Sequence, residues 1–250
     1  MISASRKALE LDPDLIEAHV LLANVLQEEW HWAEAEAEYK RALELNPNDA
    51  GAHAEFALWQ LCQGNKDDAL AIVRRGRELD PLAVSGTSVA WILFQSHRYD
   101  EALQELRTVL AVRPNDTGAL TVLGFVLVAD NRPSEAIPAL ERAVSISNGS
   151  PAASGVLVRA YAHAGRRPDA LRLLGELKKR NVAGFVPAAA FVNSYLGLGE
   201  NDQAFAWLER AFSEHSNILQ FMRVHPYFDP LRSDPRFAGL VRRVGLDSSH

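Results

Sequence analysis

Several absences narrow the roles open to this chain of 250 residues. Cys62 is the only cysteine, so neither an internal disulfide nor a site built from several thiolates can form, which fits a reducing compartment. No run of 18 apolar residues exists, so we expect no membrane span within these residues. The N-terminus lacks the apolar stretch of a signal peptide. We therefore expect a cytoplasmic location, or a periplasmic one if these residues belong to a longer, membrane-anchored protein.

The sequence also lacks the common catalytic signatures. It contains no H-E-x-x-H, no G-x-S-x-G, no phosphate-binding P-loop and no G-x-G-x-x-G. Its eight histidines are scattered along the chain. Carboxylate pairs such as Asp67 and Asp68 stand at predicted helix starts, where acids favour the helix dipole. We therefore expect no enzyme activity, no cofactor and no bound metal.

Basic side chains are in the minority, because the net charge is −6, which argues against nucleic-acid binding by the chain alone. The charge is unevenly spread. Residues 1–50 contain 4 basic and 11 acidic side chains, whereas residues 151–200 contain 7 basic and 3 acidic ones. This asymmetry is compatible with a charged partner or with head-to-tail self-association, and equally with an unevenly charged solvated surface.

The sequence does contain a period. Six alanines, here called the marker alanines, recur at separations of 33 or 34 residues: Ala35, Ala69, Ala102, Ala136, Ala170 and Ala204. A fixed period in this range indicates one small structural unit stacked many times. Such a unit cannot bury its own apolar face, so its neighbours must cover it. The period therefore favours an extended binding surface over a catalytic centre.

One period reads as two helices joined by a tight turn. In residues 117–148, Leu120, Leu123 and Leu127 share one helical face, and the polar stretch that follows breaks the helix. Pro133 then suits the first turn of a second helix, where its missing N–H has no partner to lose. We therefore expect each unit to be helix, turn, helix and a short link.

These residues resemble the tetratricopeptide repeat, whose pattern includes a Leu-Gly pair before the marker alanine. The corresponding pairs here are Leu22-Ala23, Phe56-Ala57, Val89-Ala90, Leu123-Gly124, Leu157-Val158 and Phe191-Val192. Val158, Val192 and Leu177 depart from the pattern of small residues. The resemblance covers roughly residues 3–216 and implies an all-α, right-handed superhelical solenoid of antiparallel helix pairs.

The resemblance also predicts how the chain is divided. The repeat array occupies residues 1–216, and residues 217–250 form C-terminal capping helices and a tail. Residues 1–13 match only the second half of a repeat, which suggests a piece of a longer protein. Six complete repeats follow, with starts near residues 16, 50, 83, 117, 151 and 185.

In the resembled family the first helix of each repeat lines a concave groove. The side chains predicted to face it are Asn24, Leu58, Leu61, Trp91, Phe94, Phe125, Val128, Arg159, His163 and Asn193. Aromatic residues commonly anchor partners, so we expect a peptide or helix against the rings. Arg159 and His163 would supply polar contacts, and the two asparagines would bind peptide backbone. The alternative is that tight coiling packs the rings on one another.

One known binding mode of that family does not fit. Family members that bind chaperones grip a C-terminal carboxylate with a lysine and an asparagine on the first helix of the site. Val20 stands where that lysine would precede Asn24, and Ala189 stands where it would precede Asn193. No three consecutive repeats supply the full set.

The non-repeating tail has signals of its own. Asp234 suits an N-cap with Pro235 behind it, and Phe237 begins an apolar helical face. Residues 217–224 are predicted to form another short helix. Residues 195–211 and 228–237 resemble the end of a bacterial repeat region that follows serine/threonine kinase, winged-helix regulator or nucleotide cyclase domains.

Two functions follow from these patterns. The first is a non-catalytic protein–protein interaction scaffold that binds a protein or peptide partner in the groove. The second is a regulatory or sensor segment of a larger bacterial signalling protein.

Overall fold

The computed structural model describes residues 2–247, which contain α-helices, two short 3-10 helices and no strand. The α-helices are α1 (Ile2–Leu11), α2 (Ile16–Glu28), α3 (Trp32–Leu45), α4 (Ala50–Cys62), α5 (Lys66–Leu79), α6 (Gly86–Gln95), α7 (Tyr99–Val112), α8 (Thr117–Ala129), α9 (Pro133–Ile146), α10 (Pro151–His163), α11 (Arg167–Ala183), α12 (Ala188–Leu198), α13 (Asn201–Ser213) and α14 (Pro235–Arg243). The 3-10 helices are Asn217–Phe221 and Pro226–Leu231.

Helices α2 to α13 pack as six consecutive pairs, and α1 packs against α2. The first helices of the pairs begin at Ile16, Ala50, Gly86, Thr117, Pro151 and Ala188, beside the predicted repeat starts. Each first helix also contacts the first helix of the next pair, so the pairs stack along one direction. The prediction of an all-α solenoid of helix pairs is confirmed.

The period has a direct packing cause. All six marker alanines are fully buried, because each lies where the second helix of a pair meets its neighbours. Polar residues start several first helices: Asp49 and Asp116 accept hydrogen bonds from backbone N–H groups in the first turn of α4 and α8. Pro133 occupies the first turn of α9, as the sequence predicts.

The last repeats pack tightly although they depart from the small-residue pattern. Val158, Val192 and Leu177 are buried, so the larger side chains are accommodated. The close approach moves to Gly155, where a methyl group would lie 2.6 Å from the backbone carbonyl oxygen of Ala190. Helices α10 and α12 therefore touch through a glycine that lies outside the Leu-Gly pair.

The first and last helix pairs contact each other directly. Trp30, in the turn between α2 and α3, lies with its ring centroid 4.9 Å from Phe212 of α13 and 4.6 Å from His215. The indole Nε1 of Trp32 donates a hydrogen bond of 2.7 Å to the carbonyl oxygen of Val244. The array thus closes on itself through its C-terminal end.

The tail differs in part from the helices predicted for it. Helix α14 packs on α13, and the Asp234 carboxylate caps it by accepting from the Arg236 N–H, as predicted. Residues 217–224 do not form an α-helix, because only Asn217–Phe221 is helical and it is a 3-10 helix. Two 3-10 helices separated by a turn let the chain run back over α2, α6 and α10 rather than continue the stack.

The glycine contact gives a stability test with a matched control. Gly155→Ala should lower the free energy of unfolding by about 1–3 kcal/mol, because the added methyl meets rigid backbone. Gly175→Ala in α11 meets no atom within 4 Å and should raise it by about 0.5–1 kcal/mol through helix propensity. Urea denaturation followed by circular dichroism measures both. Equal shifts of the same sign would contradict this account of the α10–α12 contact.

Candidate peptide-binding groove

The predicted groove residues lie on the first helices of consecutive pairs. Three of them form one ring cluster, here called the aromatic cluster: Trp91 and Phe94 of α6 and Phe125 of α8. Ring centroids are 5.5 Å apart for Trp91 and Phe94 and 5.7 Å apart for Phe94 and Phe125. Edge-to-face and tilted contacts at such distances stabilise aromatic pairs. The three rings therefore pack on one another, and their role as partner contacts stays a prediction.

A segment of the same chain lies on this cluster. We call residues 217–231, which contain both 3-10 helices, the inserted segment. The imidazole of His225 lies 5.7 Å from Trp91, 5.4 Å from Phe94 and 5.6 Å from Phe125 between ring centroids. Phe221 meets the edge of Trp91 at 5.8 Å. The rings that were expected to meet a ligand are thus covered by the protein's own tail.

A few polar contacts fix the inserted segment. The Tyr227 hydroxyl donates a hydrogen bond of 3.2 Å to the carbonyl oxygen of Phe125. At the other end of the segment, the Gln27 amide of α2 donates to Gln220 Oε1 at 2.8 Å. Gln27 Oε1 in turn accepts from the Tyr39 hydroxyl at 3.0 Å. The segment therefore reaches from the middle of the array back to its first helix pair.

Arg159 of α10 is a buried arginine without an ion pair. Its side chain is 6% exposed, and its guanidinium carbon stands 3.5 Å from the ring centroid of Tyr227. Within residues 2–247 no carboxylate forms a salt bridge with it, and Nε and Nη1 have no hydrogen-bond partner. Burial lowers the pKa of the guanidinium. Buried charges are normally paired, so this site is incomplete as it stands.

Two further groove-side amides lack partners. Gln95 is fully buried at the end of α6, and neither its nitrogen nor its oxygen makes a hydrogen bond among the described residues. Asn193 of α12 is 5% exposed, and its Oδ1 is likewise unmatched there. A buried polar group without a partner costs about 1–3 kcal/mol. The inserted segment thus covers the aromatic rings of the groove but leaves several of the groove's polar groups without hydrogen-bond partners.

The remaining predicted residues do not form one site with the cluster. The side-chain oxygen of Asn24 already accepts a hydrogen bond of 2.5 Å from the Tyr39 hydroxyl. His163 is exposed at the end of α10. Leu61 and Val128 are buried in the core, and Leu58 is half-buried. These five residues stay predictions as partner contacts.

Sequence reasoning missed the residues that fill the groove. Phe221, His225 and Tyr227 lie outside the repeat, so the period carries no information about their position. A signal was present in the composition of the tail. Residues 217–237 contain four phenylalanine or tyrosine residues, more apolar ring surface than one capping helix requires. Together with an apolar groove, that surplus points to an intramolecular contact.

A separate cleft of about 490 Å³ opens where the inserted segment meets the first two helix pairs. Its walls include the indoles of Trp32 and Trp59, the Gln63 amide and the Arg223 side chain of the segment. The Gln63 nitrogen has no hydrogen-bond partner in the described part of the chain. One edge of the inserted segment is therefore open to solvent at this end.

The described residues contain neither a metal-binding cluster nor a membrane-spanning helix. Among residues 2–247, no group of three or more histidine, cysteine or acidic side chains is arranged to hold a metal ion. Every helix in that range is too short or too polar to cross a bilayer. The Cys62 thiol is buried, and burial raises its pKa, so it is not an activated nucleophile.

Sequence profiles of one family match three stretches of the chain: residues 16–49, 90–151 and 127–183, each described as a tetratricopeptide repeat. The chain belongs to the tetratricopeptide repeat family. The matched stretches contain four of the six helix pairs in whole or in part. No curated protein matches the sequence.

Solved structures share the fold of this tetratricopeptide repeat protein at low identity. PilW, a widely conserved type IV pilus biogenesis factor, is similar with a TM-score of 0.62 and 15% identity over 71% of this chain and 83% of its own. Pseudomonas aeruginosa pilF gives 0.56 and 17%, over 82% and 94%. A tetratricopeptide repeat protein from Parabacteroides merdae gives 0.54 and 16%, over 92% of each chain. At such identities the likeness concerns the fold alone.

The buried His225 predicts a pH dependence. Burial, and then the charges of Arg159 and Arg232, lower the pKa of His225 from 6.5 to about 3. Between about pH 6.5 and pH 3, His225 is therefore protonated in the unfolded chain but not in the folded chain. The free energy of unfolding consequently falls as the pH drops from 6.5 toward 3. One such group contributes up to about 1.4 kcal/mol per pH unit.

The measurement compares the wild type with His225→Gln, which keeps an acceptor but does not titrate. Urea unfolding at pH 7.0, 6.0 and 5.0 should show a steeper loss in the wild type. Carboxylates titrate in both proteins and cancel in the difference. Parallel pH profiles would mean that His225 is not buried in its neutral form.

Proposed function

We propose that this tetratricopeptide repeat protein is a non-catalytic interaction scaffold that binds a peptide or helix of a protein partner in its concave groove. Membership of the family supports the interaction role. The main support for binding in the groove is that the inserted segment already lies in it. A 15-residue stretch of the chain with aromatic side chains lies between α2 and α10, which supports a groove of the width and chemistry that a peptide needs.

The same contacts suggest what the partner looks like. The aromatic cluster favours a peptide with two aromatic or histidine side chains, as His225 and Phe221 occupy it now. Arg159 favours a carboxylate, since an arginine fork pairs with two carboxylate oxygens. Unpaired amides at Gln95 and Asn193 suit peptide backbone, because an amide both donates and accepts.

A second candidate function keeps the same groove. The chain would be a regulatory segment of a larger signalling protein, as the resemblance of residues 195–211 and 228–237 implies. The observation that favours it is the link between groove and C-terminus: residues 217–231 contact both the aromatic cluster and the first helix pair. A ligand in the groove would then alter the path of the chain. An in-frame kinase, regulator or cyclase domain beside these residues would support this candidate.

Head-to-tail self-association remains a proposal based on the uneven charge. The Trp30 contact with Phe212 already engages parts of the first and last pairs within one chain. Sedimentation velocity at low and high salt tests it. Association that weakens with salt supports it, and a monomer at every concentration rules it out.

Selection from a phage-displayed library of random 15-residue peptides tests the leading function. Enriched peptides should contain an aromatic pair and an acidic residue. The double variant Trp91→Ala/Phe125→Ala should lose at least tenfold in affinity, because truncating a hot-spot side chain typically costs about 2 kcal/mol or more. Circular dichroism must first show that the variant retains its helices.

Arg159→Met tests the contribution of the guanidinium charge to binding. The substitution replaces an unpaired buried cation by an apolar chain of similar shape, so the free energy of unfolding should stay the same or rise by up to about 3 kcal/mol. The preference for acidic peptides should disappear. Arg172→Met on the exposed face of α11 is the matched control and should bind as the wild type does. Enriched peptides that bind the double variant and the wild type equally would refute the groove as the binding site.

A further inference from the structure

We propose that the inserted segment is a displaceable internal occupant of the groove, held shut by α14, and that a partner peptide binds by replacing it. This inference rests on the proposed function, because it assigns a regulator to the same site. It commits the partner to the chemistry of the segment, an aromatic peptide, with one addition: a carboxylate for Arg159.

Among residues 2–247, the inserted segment is attached to the repeats through side chains, without backbone–backbone hydrogen bonds. Every backbone–backbone hydrogen bond made by residues 217–231 within the described chain is local, such as His225 N–H to the Phe221 carbonyl and Phe228 N–H to that of His225. None reaches a helix of the repeats. Side-chain packing and isolated polar contacts hold it instead. Removing the segment therefore breaks no secondary structure in the array.

The inserted segment leaves polar groups of the groove without partners. Beneath the segment, Arg159 is covered by an aromatic ring rather than an acid, and two of its nitrogen atoms are unmatched. The only acid of the segment, Asp229, contacts His97 at 3.3 Å and does not reach Arg159. A peptide that supplied a carboxylate there would form a bond that the segment lacks. Such a peptide would therefore make one polar contact in the groove that the tail does not make.

Two ion pairs between α14 and α13, here called the catch, hold α14 in place. Arg236 and Arg243 of α14 pair with Asp202 at 2.8 Å and with Glu209 at 2.8 Å, both on α13. The two guanidinium groups also cover the rings of Phe205 and Phe212 at 4.0 Å. These pairs are exposed, so each is weak and sensitive to salt. Helix α14 also holds the segment directly, because Phe237 is buried against Phe228 with the ring centroids 5.5 Å apart. The two ion pairs lie outside the groove, so they can be altered without touching it.

Charge reversal at the catch provides the test variant. Asp202→Lys/Glu209→Lys should repel α14 while leaving the groove residues intact. Glu176→Lys/Glu214→Lys changes the same number of charges on α11 and beyond α13, where the acids pair with Arg172 and Arg210, and serves as the control. Far-ultraviolet circular dichroism checks that both variants keep the helices of the repeats.

Hydrogen exchange read by mass spectrometry tests release of the segment, starting with the wild type in low urea. We expect residues 217–231 to exchange at least tenfold faster than α6, α8 and α10, and faster again in the catch variant, with the repeat helices unchanged. Exchange of the segment and the three helices at one common rate in the wild type would overturn the proposal, because the segment would then be a permanent part of the core.

Peptide binding separates this proposal from the proposed function. The probe is a fluorescent synthetic peptide with the sequence of residues 217–231, together with the same peptide carrying glutamate at one terminus or the other. The catch variant should bind at least tenfold tighter than the wild type and the control, and one glutamate peptide should bind tighter than the parent. Equal binding to all three proteins would contradict the proposal that the inserted segment competes with a peptide for the groove. A segment that releases in exchange while no probe or library peptide binds the catch variant would overturn the proposed function instead.

Discussion

The packing of one imidazole among three rings organises this molecule. His225 sits between Trp91, Phe94 and Phe125, and Tyr227 beside it extends the contact to Arg159 of α10. Those rings lie on α6 and α8, the first helices of neighbouring pairs. An apolar cluster of this kind is normally covered. The chain covers it with its own C-terminus, and this choice draws the first and last helix pairs together.

The array itself depends on small residues at close approaches. The marker alanines are fully buried at every pair, and Gly155 takes over this role where Val158 is too large. The inserted segment depends on side chains and uses no ladder of backbone bonds. The two parts of the molecule are therefore held by different means. A segment held by side chains, packed on repeats whose helices keep their own backbone hydrogen bonds, is the physical basis for the proposed opening of the groove.

The sequence predicts those features that recur or that act locally. The period locates the helix pairs, and Asp234 with Pro235 predicts the start of α14. Side-chain direction along a helix also brings Trp91, Phe94 and Phe125 onto one surface. The position of His225 and Tyr227 could not be read in the same way, because contacts across 100 residues leave no local pattern. Arg159 was expected to meet a ligand, and its missing acid becomes visible only when burial is known.

By the proposed displacement, the inserted segment and a partner peptide exclude each other from the groove. The distance between spin labels at Gln104 of α7 and Asp229 of the inserted segment, in a Cys62→Ser background, measures this exclusion. We expect one short distance in the free protein and a second, longer distance whose population grows as an aromatic, acidic peptide from the library is added. A single unchanged distance at saturating peptide would contradict it.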